Sequence, residues 1–87
     1  MQYEKKKKLI CAVAGKITTK LRGTKSQFLL GSENDISTSI LNTLEKGNKD
    51  PQLTTVFKLA EAFNMKASEF VSLIEKELPE DFYLIEK

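Results

Sequence analysis

The sequence predicts an all-α domain of five helices, on three observations. Apolar residues recur at spacings of three and four, as in Ile10, Val13, Ala14, Ile17 and Leu21. Helix punctuation by Ser26, Ser37, Gly23, Gly47 and Pro79 divides these stripes at short intervals. No internal repeat, linker or low-complexity segment interrupts the series, and 87 residues suit one domain spanning 1–87. Apolar residues make up 40% of the chain, enough for a small helical bundle.

The first helix is expected over Glu4–Arg22, slightly weakened by Gly15 and ended by Gly23. Ser26 caps the second helix, with Leu30 and the small Gly31 on its buried face. Asn34-Asp35 is the turn, and Asp35 takes the position that needs φ > 0. Ser37 caps a third helix over Thr38–Lys46, with Leu41 and Leu44 inward and Gly47-Asn48 closing it. Asp50-Pro51 is expected to open the fourth helix, with Pro51 at its first helical position. Its apolar face is Leu53, Val56, Phe57, Leu59, Ala60 and Phe63, with Asn64 as the stop. Met65 turns inward, and a fifth helix runs over Ala67–Glu77 with Phe70, Leu73 and Ile74 inside. The tail carries Phe82, Tyr83, Leu84 and Ile85, too apolar to hang free; it either folds back or pairs with another chain.

Charge is unevenly spread. Residues 1–49 carry ten Lys/Arg against four Asp/Glu, and residues 50–87 carry four against eight, for a net +2. The basic half suits a polyanion, and the acidic half suits solvent or a partner. Lys5 to Lys8 sit at a helix N-terminus, where the dipole disfavours them, so the run suits a role other than helix stability. The apolar run after them is six residues, too short for a signal core or a membrane span, and a cytoplasmic protein is expected. Cys11 is the only cysteine and histidine is absent, which excludes an internal disulfide and a zinc site. Cys11 is expected to pack as a small apolar residue. Gly15-Lys16 lacks the glycine five residues earlier that a phosphate loop needs, because Ile10 stands there. No nucleophile–base constellation, metal motif or cofactor motif is present, so no enzyme is expected; Glu69, Glu75 and Glu77 read as a solvated face.

Two sets of residues remain for function. Thr38, Ser39, Asn42 and Thr43 form a small polar face on the third helix, suited to a ligand rich in hydrogen-bonding edges such as DNA. Ser26 and Gln27 open the second helix, whose first amides suit a phosphate. Phe28 and Leu29 point partly outward if Leu30 faces the core, which suits contact with the tail or a second subunit.

The order Leu21-Arg22-Gly23, Ser26-Gln27, Leu30-Gly31, Ile36-Ser37, Leu41, Leu44-Glu45-Lys46-Gly47 and Asp50-Pro51-Gln52-Leu53-Thr54-Thr55 resembles the Cro/repressor-type, XRE-like helix-turn-helix family. Lys58-Leu59-Ala60-Glu61-Ala62-Phe63 and Ser68-Glu69-Phe70 continue it, so the likeness covers about 15–71, leaving out the basic start 1–8 and a C-terminal extension 72–87. The resemblance implies a compact five-helix, lambda-repressor-like domain that regulates transcription as a homodimer on double-stranded DNA, with the third helix in the major groove. Carried over by position, Thr38, Ser39 and Thr43 face base edges with Asn42 nearby. Gln27, Lys46, Asn48 and Lys49 meet phosphates, and Arg22 with Glu45 braces the first helix to the third. The chain departs from the family at Asn34 and Asp35 in the turn, at Phe28 and Leu29 where charges are usual, and at Lys66 in a capping position.

Without arginine on the reading face, affinity must come mainly from phosphates, and Lys25, Lys46 and Lys49 are the best cations for it. A DNA-binding antitoxin or controller protein, with a protein partner on its C-terminal half, is the alternative. A third reading is an interaction module that does not bind DNA.

Overall fold

The computed structural model describes residues 2–85 and forms five helices: α1 Gln2–Arg22, α2 Gln27–Asn34, α3 Thr38–Glu45, α4 Leu53–Ala62 and α5 Ala67–Glu77. The all-α class is as expected, and among the described residues there is no strand. None of the described helices is long and apolar enough to cross a membrane.

Local chemistry sets the two short helices. The Ser26 hydroxyl accepts from the Leu29 N–H at 3.0 Å, and the Ser37 hydroxyl accepts from the Ile40 N–H at 3.0 Å. Asp35 adopts φ 57° in the left-handed region, and the Ile36 N–H then closes on the Gly31 carbonyl at 2.9 Å. Asn34 helps to end α2, because its amide donates to the Leu30 carbonyl at 2.9 Å. Lys58 on α4 donates to the Asp35 carbonyl at 2.9 Å and to its carboxylate at 3.2 Å, tying the turn to the fourth helix.

The fourth helix begins later than expected. Gln52 is its N-cap in extended backbone, and Pro51 lies before it, outside the helix. A fixed proline φ suits extended backbone as well as a helix start. Its apolar face is also narrower. Thr55, Leu59 and Ala60 are buried, whereas Leu53 is 72% exposed and Phe57 49%. One side of a helix meets the core, and these two lie one turn apart on the other side. Asn64 takes φ 59° and stops the chain as expected. Lys66 precedes α5 without a side-chain oxygen; instead its N–H donates to the Glu69 carboxylate at 2.8 Å. Glu69 is therefore a cap rather than only a solvated acid.

Leu41, Leu44, Leu59, Ala60 and Phe70 are essentially fully buried, and Leu30, Ile36, Ile17 and Ile74 pack around them. The Phe63 and Phe70 rings stack with centroids 6.3 Å apart. Helices α1 and α3 approach so closely that a Cβ on Gly15 would collide with the Leu44 carbonyl and stand 2.8 Å from the Glu45 carbonyl. A Cβ on Gly31 would collide with the Ile36 carbonyl in the same way. The tail folds back: the Phe82 N–H bonds to the Pro79 carbonyl at 3.0 Å, and Phe82 and Leu84 are half-buried. With Tyr83 they line an apolar groove of about 450 Å³ against Ile10, Cys11, Val71 and Ile74.

The tight α1–α3 crossing sets a sign. Gly15→Ala gains about 1 kcal/mol of helix propensity, but its methyl meets backbone oxygens that cannot swing away. Overpacking of this kind costs about 1–3 kcal/mol, so the net effect is destabilising. Urea unfolding is expected to show a lower midpoint; an unchanged or raised midpoint contradicts the packing.

Candidate nucleic-acid interface

Helix α3 is eight residues, so it is about 12 Å long. Leu41 and Leu44 anchor its inner side in the core. Thr38, Ser39 and Asn42 are exposed on its outer side, and Thr43 is half-buried. The Thr43 hydroxyl donates to the Ser39 carbonyl at 2.9 Å, which leaves its methyl and its lone pairs for a ligand. Ile40, beside this face, packs partly against the core.

One carboxylate fixes the C-terminal end of this helix. Glu45 accepts from Arg22 Nε at 2.7 Å and from Arg22 Nη2 at 2.8 Å, a bidentate pair. Gln27 Nε2 donates to the same carboxylate at 2.9 Å. Arg22 Nη1 also donates to the Lys25 carbonyl at 2.7 Å. The end of α1, the start of α2 and the end of α3 are thus joined through Glu45, whose side chain is 7% exposed. Burial pushes the Glu45 carboxyl up, but hydrogen bonds from Arg22 and Gln27 and the guanidinium charge outweigh it, so its pKa lies below the ordinary value. The hydrogen bond to Glu45 raises the pKa of Arg22 in turn.

The start of α2 lies within this cluster. Ser26 caps it by accepting a hydrogen bond, so its O–H is free to donate. The first-turn amides of Gln27 and Phe28 have no partner within the helix. The Gln27 side-chain amide nitrogen is bonded to Glu45, so this residue also joins the start of α2 to the end of α3. Lys25 forms an ion pair with Glu33 on the surface. Lys46 and Asn48 are exposed beyond α3, and Lys49 is half-buried. The expected site residues on α2, α3 and the segment after α3 therefore stand as neighbours in chain order, tied together by the Arg22–Glu45–Gln27 cluster.

The apolar candidates separate into two places. Phe28 is 67% exposed and Leu29 47%. The tail groove is lined by α1, the lead-in to α4, α4 and α5, and among the described residues the tail packs there and not on α2. Tyr83 and Ile85 are exposed. Cys11 is buried, and its pKa is raised by burial and by Asp50, against a smaller opposite effect of Lys7. Among the described residues, no three His, Cys, Asp or Glu side chains gather as a metal site.

Sequence reasoning missed two contributors. Gly15 looked like a mild defect in α1, although a lone mid-helix glycine often marks close packing. Thr18 is fully buried and donates to the Ala14 carbonyl at 2.8 Å, which no sequence signal announced. Comparison with protein-family models, curated proteins and solved structures finds no match to this chain.

Glu45→Gln strands the Arg22 guanidinium, and a loss of about 2 kcal/mol is expected, below the ~3–5 kcal/mol of a fully buried pair because Arg22 keeps some solvent. Because the folded pKa of Glu45 is depressed, its stabilisation is complete above the ordinary glutamate value of 4.5 and fades as pH falls through the folded value. Urea midpoints of the two proteins are expected to differ at pH 7 and to converge in acid. A gap that persists unchanged at low pH contradicts the ionic role.

Proposed function

We propose that the chain is a sequence-specific binder of double-stranded DNA, a repressor-like transcriptional regulator of the lambda-repressor-like helix-turn-helix kind, with α3 in the major groove. One observation carries this reading. A short helix is anchored by Leu41 and Leu44 and held by the Glu45 cluster, while its outer face presents only small polar groups beside an open helix N-terminus.

Thr38, Ser39 and Thr43 are the base-edge contacts, with Asn42 able to pair with adenine and the threonine methyls with thymine. Hydroxyls donate or accept, so they discriminate less than arginine does. Phosphates supply most of the affinity, through Lys25, Lys46, Asn48, Lys49, the Ser26 hydroxyl and the amides of Gln27 and Phe28. A homodimer on a two-fold site, in the cytoplasm and without a cofactor, completes the reading. The apolar groove beside the acidic α5 favours a second reading, a DNA-binding antitoxin or controller protein whose C-terminal half also holds a protein partner.

Fluorescence anisotropy with a duplex from upstream of the protein's own gene, against a scrambled duplex, tests the first reading. Thr38→Ala with Ser39→Ala is expected to reduce the ratio of specific to scrambled affinity about tenfold, two hydroxyl contacts together matching the low end of the ~1–3 kcal/mol of one bidentate pair, with an unchanged helical spectrum. An unchanged ratio removes α3 as the reading helix.

A further inference from the structure

The lysine run at the start of α1 divides into two pairs in the structure. Glu4, Lys7 and Cys11, and Glu4, Lys8 and Ala12, recur at steps of three and four, so all five share a helix face. That face is one wall of a cleft of about 480 Å³. Gly47, Asn48, Lys49 and Asp50, the segment leaving α3, form the other wall. The walls are tightly apposed at their base, where a Cβ on Gly47 would lie 3.0 Å from the Ala12 Cα. Lys5 and Lys6 do not line this cleft.

We propose that Lys7 and Lys8 join Lys49 in a strip that grips the DNA backbone beyond the stretch read by α3. The inference rests on the DNA reading above and adds a contact to it. Three features favour phosphate as the occupant. Lys7, Lys8 and Lys49 outnumber Glu4 and Asp50 around the cleft. The second wall is the segment that follows α3 directly, so a backbone touching Lys46 and Asn48 passes this cleft next. Lys8 lies fourteen residues before Arg22 on a continuous helix, which places the two Cα atoms about 21 Å apart along the axis. A straight helix of that reach extends the cationic surface past the end of the 12 Å reading helix. Glu4 works against the strip by repelling phosphate.

Salt-dependent anisotropy with the upstream duplex separates the members of the run. Each lost phosphate contact lowers the slope of log affinity against log salt by about 0.9, so Lys7→Gln with Lys8→Gln is expected to lower it by roughly 1.8. The same pair is expected to leave the specific-to-scrambled ratio unchanged. Lys5→Gln with Lys6→Gln is expected to change the slope by clearly less, and Glu4→Gln to tighten binding at low salt. Circular dichroism checks that each variant keeps its helices. Equal slope changes from the two lysine pairs, or none from Lys7 and Lys8, overturn the strip while the DNA reading stands. If the wild-type chain binds neither duplex at low salt, the DNA reading fails first and the strip falls with it.

Discussion

Everything proposed for this fold depends on the Glu45 carboxylate. It is nearly buried, yet it keeps its charge because Arg22 meets it with two nitrogens and Gln27 with a third. A buried charge without partners would be costly, so the cluster is stable only when three chain segments arrive together. That condition fixes the end of α1, the start of α2 and the end of α3 relative to one another. The same geometry brings α1 against the last turn of α3, where only glycine fits at position 15. The Arg22–Glu45 pair and the missing side chain at position 15 thus serve one requirement, α3 held at a defined angle to α1.

Rigidity of this kind matters because the face of α3 is chemically modest. On the proposed reading its hydroxyls and single amide carry weak base preferences, which are useful only when their positions are fixed before binding. The helix cannot supply that order alone at eight residues. Core leucines, two serine caps and the Glu45 cluster supply it. On the proposed DNA reading, affinity falls to lysines and helix-end amides around the face, which would position the duplex without choosing among sequences.

Much of this was legible in the residues. Ser26 and Ser37 announced their caps, Asp35 its left-handed turn, and Asn64 its stop, because each acts through its own backbone neighbourhood. The Arg22–Glu45 pair was visible only through family likeness, since 23 residues separate the partners. Three features were illegible because they depend on tertiary approach. The Gln27 bond to Glu45 at 2.9 Å joins residues 18 apart and had no local signal. Leu53 and Phe57 looked like core until the packing of α4 left their side outside. Pro51 looked like a helix start because its fixed φ suits both a helix and the place it takes before Gln52, outside the helix.

The central claim is that the outer side of α3 and the start of α2 form one surface for DNA. Backbone amide chemical-shift mapping on addition of the upstream duplex tests it most directly. The largest changes are expected at Thr38, Ser39, Asn42 and Thr43, at Gln27 and Phe28, and from Lys46 to Lys49, with α5 nearly silent. Shifts confined to α5 and the Phe82–Ile85 tail, or none even at low salt, would contradict it.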